Sequence, residues 1–273
     1  MRRIGKMIVT LALVLIALAL VGWIGLQVTP DPLPAFPAAT TLDRTIALPE
    51  DLPAPVARFY RTIAGDSIPV IDSAVLTGPA ELRFSGITFP GRYRFVHEAG
   101  RNYRHYIELT LFGQPLMKVN ESYLDGNGRL ELPFGTVENE PKVNQAANLG
   151  LWAEAMAYPS IYLTDPRVRW EALDDATARL VVPFEDGEDA FTVHFDPDTG
   201  LLTRMEAMRY KDKDGEKVRW ICEAHAWGTF HGMTLPRVMS VTWEDEGTPW
   251  ATFTVDDLVF NADVSAAIRR RGL

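Results

Sequence analysis

The chain has 273 residues, of which 47% are hydrophobic, and its formal net charge is −9 at pH 7. This length fits one large all-β or α+β domain with an anchor, or two small domains, and the apolar fraction allows a sizeable core. This acidic balance is a poor match for nucleic acid, which favours proteins with clustered lysines and arginines, and it argues against a nucleic acid partner. The single cysteine, Cys222, excludes an intramolecular disulfide and a cysteine metal site, and its apolar neighbours indicate an inert buried thiol.

An apolar run of 22 uncharged residues, 7–28, lies close to the N-terminus. About 20 such residues span the hydrocarbon core of a bilayer, so we predict a single transmembrane helix that serves as an uncleaved anchor. The basic residues Arg2, Arg3 and Lys6 place residues 1–6 in the cytoplasm, and the rest of the chain then lies on the extracytoplasmic side of the cytoplasmic membrane. The alternative is a cleaved signal peptide, whose apolar region is normally shorter and ends in small residues.

Residues 29–51 form a linker with four prolines between positions 30 and 37. Proline at this density favours a stiff, extended spacer, which would hold the next domain a short distance off the membrane. That domain, residues 52–263, begins with a helix predicted over 52–65. The apolar residues of this helix follow the i, i+3, i+4, i+7 spacing of an amphipathic helix, and Gly65 fits a C-cap.

Most of the domain alternates apolar and polar residues with the period of a half-buried antiparallel strand. In the clearest case, Asn102–Leu111, the side chains of Tyr103, His105 and Ile107 face one way. Short turns separate the alternating segments, and the DGNG sequence at 125–128 is a strong hairpin signal. We predict about eleven strands, which is more than a flat open sheet tolerates without curling.

The longest helix-like run after the anchor is 144–163, which is apolar around its circumference and is therefore expected to be buried on both faces. Pro159 is expected to end or kink this helix. We predict an α+β fold that is mostly antiparallel β. It is a curved, incomplete barrel of about eleven strands wrapped around the central helix, with an N-terminal transmembrane helix and a C-terminal tail over 264–273.

Three turns carry a resemblance to a known family. They are an Asp-x-x-Thr-Gly-Leu turn in 195–201, an Asp-x-x-Gly turn at 212–215 and a Gly-hydrophobic-x-Leu-Pro turn at 232–236. Together they resemble lipoprotein-carrier-like (LolA/LppX-like) half-barrels of the bacterial envelope. Over 52–260 the chain is similar to an uncharacterised family of membrane-anchored bacterial proteins with a domain of unknown function. The resemblance implies an incomplete antiparallel barrel around helices, with an apolar cavity that carrier relatives use for acyl chains.

Glu154 is a lone charge in the apolar central helix. Burial of an unpaired carboxyl raises its pKa, which would suit a general acid or a ligand contact. The alternative is a structural carboxylate paired with an arginine such as Arg169, Arg209 or Arg94.

No catalytic motif and no complete metal-binding motif is found in the sequence. The five histidines show no metal-ligand spacing, and the aspartate-rich turns at 196–200 and 212–215 lack the distal glutamate of a calcium loop. We therefore predict no catalytic residue, no metal and no cofactor. The aromatic residues of the sheet and its helix are candidates for lining an apolar ligand pocket. The candidate ligand-binding residues are Trp152, Glu154, Met156, Tyr158, Trp170, Trp220 and Trp243.

The leading hypothesis is a membrane-tethered, non-catalytic extracytoplasmic domain that binds a lipid or another apolar ligand between sheet and helix. The alternative is a protein-interaction or envelope-assembly scaffold, whose protein partner the sequence does not identify. A third hypothesis is an enzyme centred on Glu154.

Overall fold

The computed structural model describes residues 2–273, which fold into five α-helices and sixteen strands. The α-helices are α1 (Arg2–Leu26), α2 (Ala54–Ala64), α3 (Pro141–Glu154), α4 (Ile161–Thr164) and α5 (Ser265–Arg269), with a 3-10 turn at Ala155–Ala157. The strands are β1 (Thr45–Ala47), β2 (Ser67–Pro69), β3 (Ser73–Phe84), β4 (Ile87–Glu98), β5 (Asn102–Leu111), β6 (Gln114–Leu124), β7 (Asn127–Leu132), β8 (Gly135–Glu138), β9 (Arg169–Ala172), β10 (Thr177–Phe184), β11 (Gly187–Phe195), β12 (Leu202–Tyr210), β13 (Lys217–Phe230), β14 (Met233–Trp243), β15 (Pro249–Thr254) and β16 (Asp257–Phe260).

Fourteen of these strands form one antiparallel sheet in the order β8-β7-β6-β5-β4-β3-β15-β14-β13-β12-β11-β10-β9, with β16 also paired to β3. The two end strands, β8 and β9, do not pair with each other, so the sheet is open. The predicted fold class is confirmed. The strand count exceeds the prediction because period-two alternation is hard to recognise in strands of three or four residues. In addition, the chain bends between Thr254 and Asp257, so the apolar stretch 249–260 forms two strands, β15 and β16.

The central helix packs against the concave face of the sheet. α3 contacts β6 and β7 in one half of the sheet and β10 and β12 in the other half, so the sheet must curve around the helix to reach it from both sides. The helical run ends at the 3-10 turn and resumes in α4, and Pro159 lies in the break, as predicted. Trp152 and Tyr158 are fully buried in the core.

α2 packs on the concave face of the second half of the sheet, against β10, β11 and β14. Its inward face buries Val56, Phe59, Tyr60 and Ile63, which are the residues with the predicted amphipathic spacing. Gly65 follows the helix with a φ of 79°, a conformation that glycine adopts without strain. The helix predicted over 52–65 is therefore confirmed.

The linker is extended, but it lies along the outer face of the sheet. Arg92 Nη1 donates a hydrogen bond to the carbonyl oxygen of Asp31 over 2.6 Å, and Arg94 donates to the carbonyl oxygen of Pro34. Leu33 is buried. These contacts hold residues 31–34 of the linker against the outer face of the sheet. This part of the linker therefore does not extend away from the domain as a free spacer.

Two terminal helices complete the described chain. α5 buries Ile268, whose carbonyl oxygen accepts a 2.7 Å hydrogen bond from Arg104 Nε, so the segment predicted as a tail packs on the outer face. Among the described helices, α1 alone has the length and composition needed to cross a membrane.

Candidate functional site

The β4–β5 hairpin brings two histidines onto the concave face of the sheet. Its register pairs His97 with Tyr103 and Phe95 with His105. Because side chains alternate between the two faces of a strand, all four point to the same side. Glu154 at the end of α3 contacts both imidazoles, which identifies this side as the face turned toward the central helix.

Glu154 bridges the two imidazoles. Its Oε2 lies 2.7 Å from His105 Nε2 and 3.1 Å from His97 Nε2. On the other side of the His105 ring, Nδ1 lies 3.6 Å from Glu121 Oε2, and the Tyr103 hydroxyl donates a 2.6 Å hydrogen bond to Glu121 Oε1. We call His97, His105, Glu121 and Glu154 the His–Glu cluster.

The His105 ring is held from both faces by aromatic rings. Its centroid lies 4.1 Å from that of Tyr103, with the two rings nearly parallel, and 3.9 Å from that of Phe95. Only 4% of the His105 side chain is exposed. The imidazole therefore has one orientation, with each nitrogen directed at a carboxylate.

The pKa values of the His–Glu cluster follow from burial opposed by mutual attraction. Burial alone would lower the pKa of His105, but the carboxylates of Glu154 and Glu121 outweigh it and raise that pKa to about 9. Burial would raise the pKa of Glu154, but His105 and His97 bring it down to about 2. Burial likewise opposes a lowered pKa of Glu121, and contact with His105 prevails. Burial dominates at His97 and lowers its pKa despite the contact with Glu154. The cluster at neutral pH therefore holds two carboxylates, one imidazolium and one neutral imidazole.

Two expectations for Glu154 are wrong. Burial does not leave its pKa raised, because imidazoles surround the carboxylate. Its partners are histidines, and the three arginines proposed from the sequence bind elsewhere. Those arginines are Arg94, on the carbonyl of Pro34; Arg169, on Glu188; and Arg209, whose Nε donates to the carbonyl of Ala146 over 2.9 Å.

An apolar surface leads away from the His–Glu cluster on the same face of the sheet. The register pairs Val119 with Ile107 and Met117 with Leu109, two and four residues before Glu121 on β6. Met117 and Val119 are only partly buried. The side chains of Glu121 and Glu154 each remain 24% exposed, whereas His97 beside them has no exposure. Solvent therefore reaches both carboxylates and the apolar residues next to them.

The same surface extends across the sheet to β14. One row of cross-strand neighbours runs from β6 to β14 and consists of Met117, Leu109, Gly91, Ala80, Phe253 and Met239. The row beside it, from β4 to β14, consists of Phe89, Leu82, Ala251 and Val241. Phe89, Met239 and Val241 are also only partly buried. We call this concave surface, from Met117 and Val119 to Val241, the hollow.

The structure separates the candidate ligand-binding residues into three places. Trp152, Met156 and Tyr158 are buried around the end of α3, where the Tyr158 ring lies 5.2 Å from that of His97. Trp220 and Trp243 lie together on the concave face, with Arg209 over the Trp220 ring at 4.3 Å. Trp170 lies apart on β9, against Tyr162. Only Glu154 belongs to the His–Glu cluster.

Sequence reasoning missed His97, His105 and Glu121 as members of the site. The signal that could have found the histidines is local: each lies in an alternating segment, and the two segments flank the tight turn at Ala99 and Gly100. A hairpin with that turn brings both histidines to one face near each other.

The donor atoms of His97, His105 and Glu154 lie within 4.8 Å of one another and could hold a metal ion. Two histidines and a glutamate are a known zinc ligand set. Here, however, Glu154 Oε2 itself lies between the imidazoles, at 2.7 and 3.1 Å. Glu154 and His105 form a hydrogen-bonded ion pair, whereas neither ring nitrogen of His97 has a hydrogen-bond partner among the described residues. A metal ion at this site would have to displace the bond between Glu154 and His105.

A separate groove of about 1560 Å³ opens at the other end of the sheet, beside the β4–β5 and β6–β7 turns. Of the candidate ligand-binding residues, only Trp152 borders it. Charged residues of both signs line its walls. They are Arg44, Arg101, Arg167 and Arg269, with Asp72, Glu98, Asp125, Asp165 and Glu185.

Comparison with known proteins places this geometry in context. The model of a family described as a family of unknown function (DUF6544) matches residues 44–255. No curated protein matches the chain. A solved LolA superfamily protein from Nitrosomonas europaea is similar, with a TM-score of 0.46 and 10% identity over 74% of this chain and 92% of that one. A putative outer membrane lipoprotein-sorting protein domain from Vibrio parahaemolyticus has a TM-score of 0.42 and 10% identity, over 79% and 95% of the two chains. A DUF1329 family protein from Desulfovibrio piger has a TM-score of 0.41 and 12% identity, over 73% and 92%.

Proposed function

This chain belongs to DUF6544, a family of unknown function, as its motifs predict, and we propose that it is a membrane-tethered binding domain for an amphipathic lipid. The lipid lies in the hollow, with its apolar part against the sheet and its polar end at the His–Glu cluster. The observation that carries the proposal is the meeting of two surfaces. A partly exposed apolar surface ends at the carboxylates of Glu121 and Glu154, each of which is 24% exposed.

The hollow suits a ligand with an apolar chain. Met117, Val119, Phe89 and Val241 present apolar surface, and covering such surface contributes roughly 25 cal/mol per Å². An apolar concave site with a few converging polar groups is the usual form of a small-ligand pocket.

The His–Glu cluster suits a polar end that donates hydrogen bonds, such as a hydroxyl or an ammonium group. Glu154 uses Oε2 for both histidines, so its Oε1 is free to accept from a ligand. The positive charge of Arg209 lies close enough to help lower the pKa of Glu121. The hydroxyl of Tyr158 and the Nε1 of Trp220 are buried without a hydrogen-bond partner among the described residues, and both are further donors at this end.

The ionised state of Glu154 at neutral pH favours a binding site over an enzyme in which Glu154 acts as a general acid. A general acid needs a pKa near the working pH, and the pKa of Glu154 is about 2. The enzyme hypothesis assumed that burial raises the pKa of Glu154, and the pKa is lowered instead. We propose that α1 is an uncleaved anchor in the cytoplasmic membrane, and that the domain lies on its extracytoplasmic side.

Native mass spectrometry of the full chain, released from purified membranes, tests the proposal. Val119→Trp places a large side chain in the hollow. Val238→Trp is its control, because Val238 is also half-buried but lies on the outer face of β14. We expect a bound lipid mass in the wild type and in Val238→Trp, and about tenfold lower occupancy in Val119→Trp, which corresponds to a loss of about 1.4 kcal/mol. An empty wild type, or equal occupancy in all three proteins, would contradict lipid binding in the hollow.

The charged groove at the other end of the sheet favours a second candidate function, the binding of a protein partner. Its mixture of arginines and acidic residues suits an extended polypeptide with charges of both signs. A photo-crosslinking side chain at Arg101, which lines the groove, would then capture one partner at constant stoichiometry. The same probe at exposed Asp245, in the turn between β14 and β15, would not.

A further inference from the structure

Strongly exposed apolar side chains gather at one end of the first half of the sheet. Three hairpin turns lie there, because β3–β4, β5–β6 and β7–β8 all reverse at the same end of antiparallel strands. The rings of Phe84 and Phe134, from the first and third turns, stack 6.1 Å apart. We call this end the apolar edge. Its exposed residues are Phe84, Ile87, Phe112, Leu116, Leu132 and Phe134.

Charge is absent from the apolar edge and present around it. The segments 84–90, 111–117 and 132–137 contain no charged residue. The opposite ends of the same strands turn through Glu98 and Arg101 or through Asp125, and the turn at 211–217 in the second half of the sheet is strongly charged. A soluble surface rarely exposes six large apolar side chains together without a partner for them.

A hydrogen bond to α1 holds the apolar edge at one level along that helix. The amide of Phe112 donates a 2.8 Å hydrogen bond to the carbonyl oxygen of Gly25 in α1. A Cβ on residue 25 would lie 2.7 Å from Phe112 Cε2, so glycine allows the turn to approach the helix this closely. Gly25 lies three residues before the end of the apolar run 7–28, about 5 Å along a helix axis. The β5–β6 turn is therefore held at the level where the apolar helix leaves the bilayer.

We propose that the apolar edge is embedded in the interface of the membrane that holds α1, and that lipid enters the hollow through it. This inference rests on the proposed function of α1 as an anchor. Apolar side chains on an interfacial element bury about 5–10 Å into the boundary between headgroups and acyl chains. On β6, Leu116 of the edge is followed by Met117 and Val119 of the hollow and then by Glu121, so the apolar path runs from the bilayer to the His–Glu cluster.

A depth measurement on the full chain tests the proposal. A polarity-sensitive dye is attached at Phe134→Cys in a Cys222→Ala background, and the protein is inserted into vesicles of phosphatidylcholine and phosphatidylglycerol with brominated acyl chains. The control carries the dye at Arg101→Cys, in an exposed turn at the opposite end of the sheet. We expect the dye at 134 to shift to the blue and lose most of its emission to bromine, and the dye at 101 to do neither.

Each other outcome overturns the inference in a distinguishable way. A dye at 134 that is unquenched, in protein whose α1 resists carbonate extraction, shows that the anchor holds but the edge stays in water. Release of the protein by carbonate shows that the anchor itself fails. A dye at 134 that bromine does not quench, with cysteine crosslinks that increase with protein concentration, shows that a second copy of the chain covers the edge.

Discussion

Replacing Glu154 with glutamine lowers the free energy of unfolding of the full chain by about 3 kcal/mol near neutral pH. The folded protein holds the pKa of this carboxyl at about 2, against an ordinary value of 4.5. Each pKa unit corresponds to about 1.4 kcal/mol of preference for the ionised form, which glutamine cannot adopt. Glutamine keeps the size of the side chain, so the loss reports the charge and not a cavity. Denaturant unfolding of detergent-solubilised protein measures it.

A double-mutant cycle with His105→Gln assigns this loss to the pair. Because His105 is charged only through its carboxylate partners, we expect the double variant to lose much less than the sum of the single variants. The matched control is His194 with Glu206, which are 3.1 Å apart on the outer face, where His194 is 33% exposed. Because water reaches His194, we expect this pair to couple by about 1 kcal/mol or less. Additive losses at Glu154 and His105 would contradict the ion pair.

The architecture was predictable because its determinants are local. Alternation in Asn102–Leu111 defines a strand without reference to the rest of the chain, and the spacing of Val56, Phe59 and Ile63 defines the inward face of α2. An all-round apolar helix among many strands requires that a sheet curve around it. Curvature, strand direction and the break at Pro159 follow from these local facts.

The site was only half predictable because its members meet through tertiary structure. Glu154 stands out as a lone charge in an apolar helix, but His105 lies 49 residues away and reaches it only because the sheet curls. Arginine was the expected partner because it pairs with carboxylates most often. The buried imidazole of His105 supplies the positive charge instead, because two carboxylates together overcome the effect of burial on its pKa.

The apolar edge was not predictable for a related reason. In sequence, Phe84, Phe112 and Phe134 each lie within two residues of a glycine at a short turn, and a single exposed aromatic residue needs no explanation. The topology places the three turns at one end, and the hydrogen bond from Phe112 to Gly25 places that end beside α1. Proline density predicted the extended linker, but its hydrogen bonds to Arg92 and Arg94 depend on the folded sheet.

The second large effect is a loss of stability at alkaline pH that requires His105. Its pKa is raised from 6.5 to about 9 in the folded chain, so its stabilising contribution is fully present below pH 6.5 and is lost as the pH rises through 9. We expect the wild type to lose about 3 kcal/mol relative to His105→Gln across this interval. Glu154 acts in the opposite direction: its contribution is present above pH 4.5 and is lost as the pH falls toward 2. His97 adds an acid-side loss, because burial lowers its pKa and protonation below pH 6.5 disfavours the fold.

Denaturant midpoints of the two proteins, measured at intervals between pH 5.5 and 9.5, test this dependence. His105→Gln and wild type should differ most at the acidic end of the range and converge at the alkaline end. A constant difference between wild type and His105→Gln would mean that folding does not raise the pKa of His105. Above pH 6.5 its imidazole would then be neutral, and no imidazolium would lie between the carboxylates of Glu154 and Glu121. The hollow would then need a cationic ligand to balance it, so this titration also decides which charge the polar end of the lipid must carry.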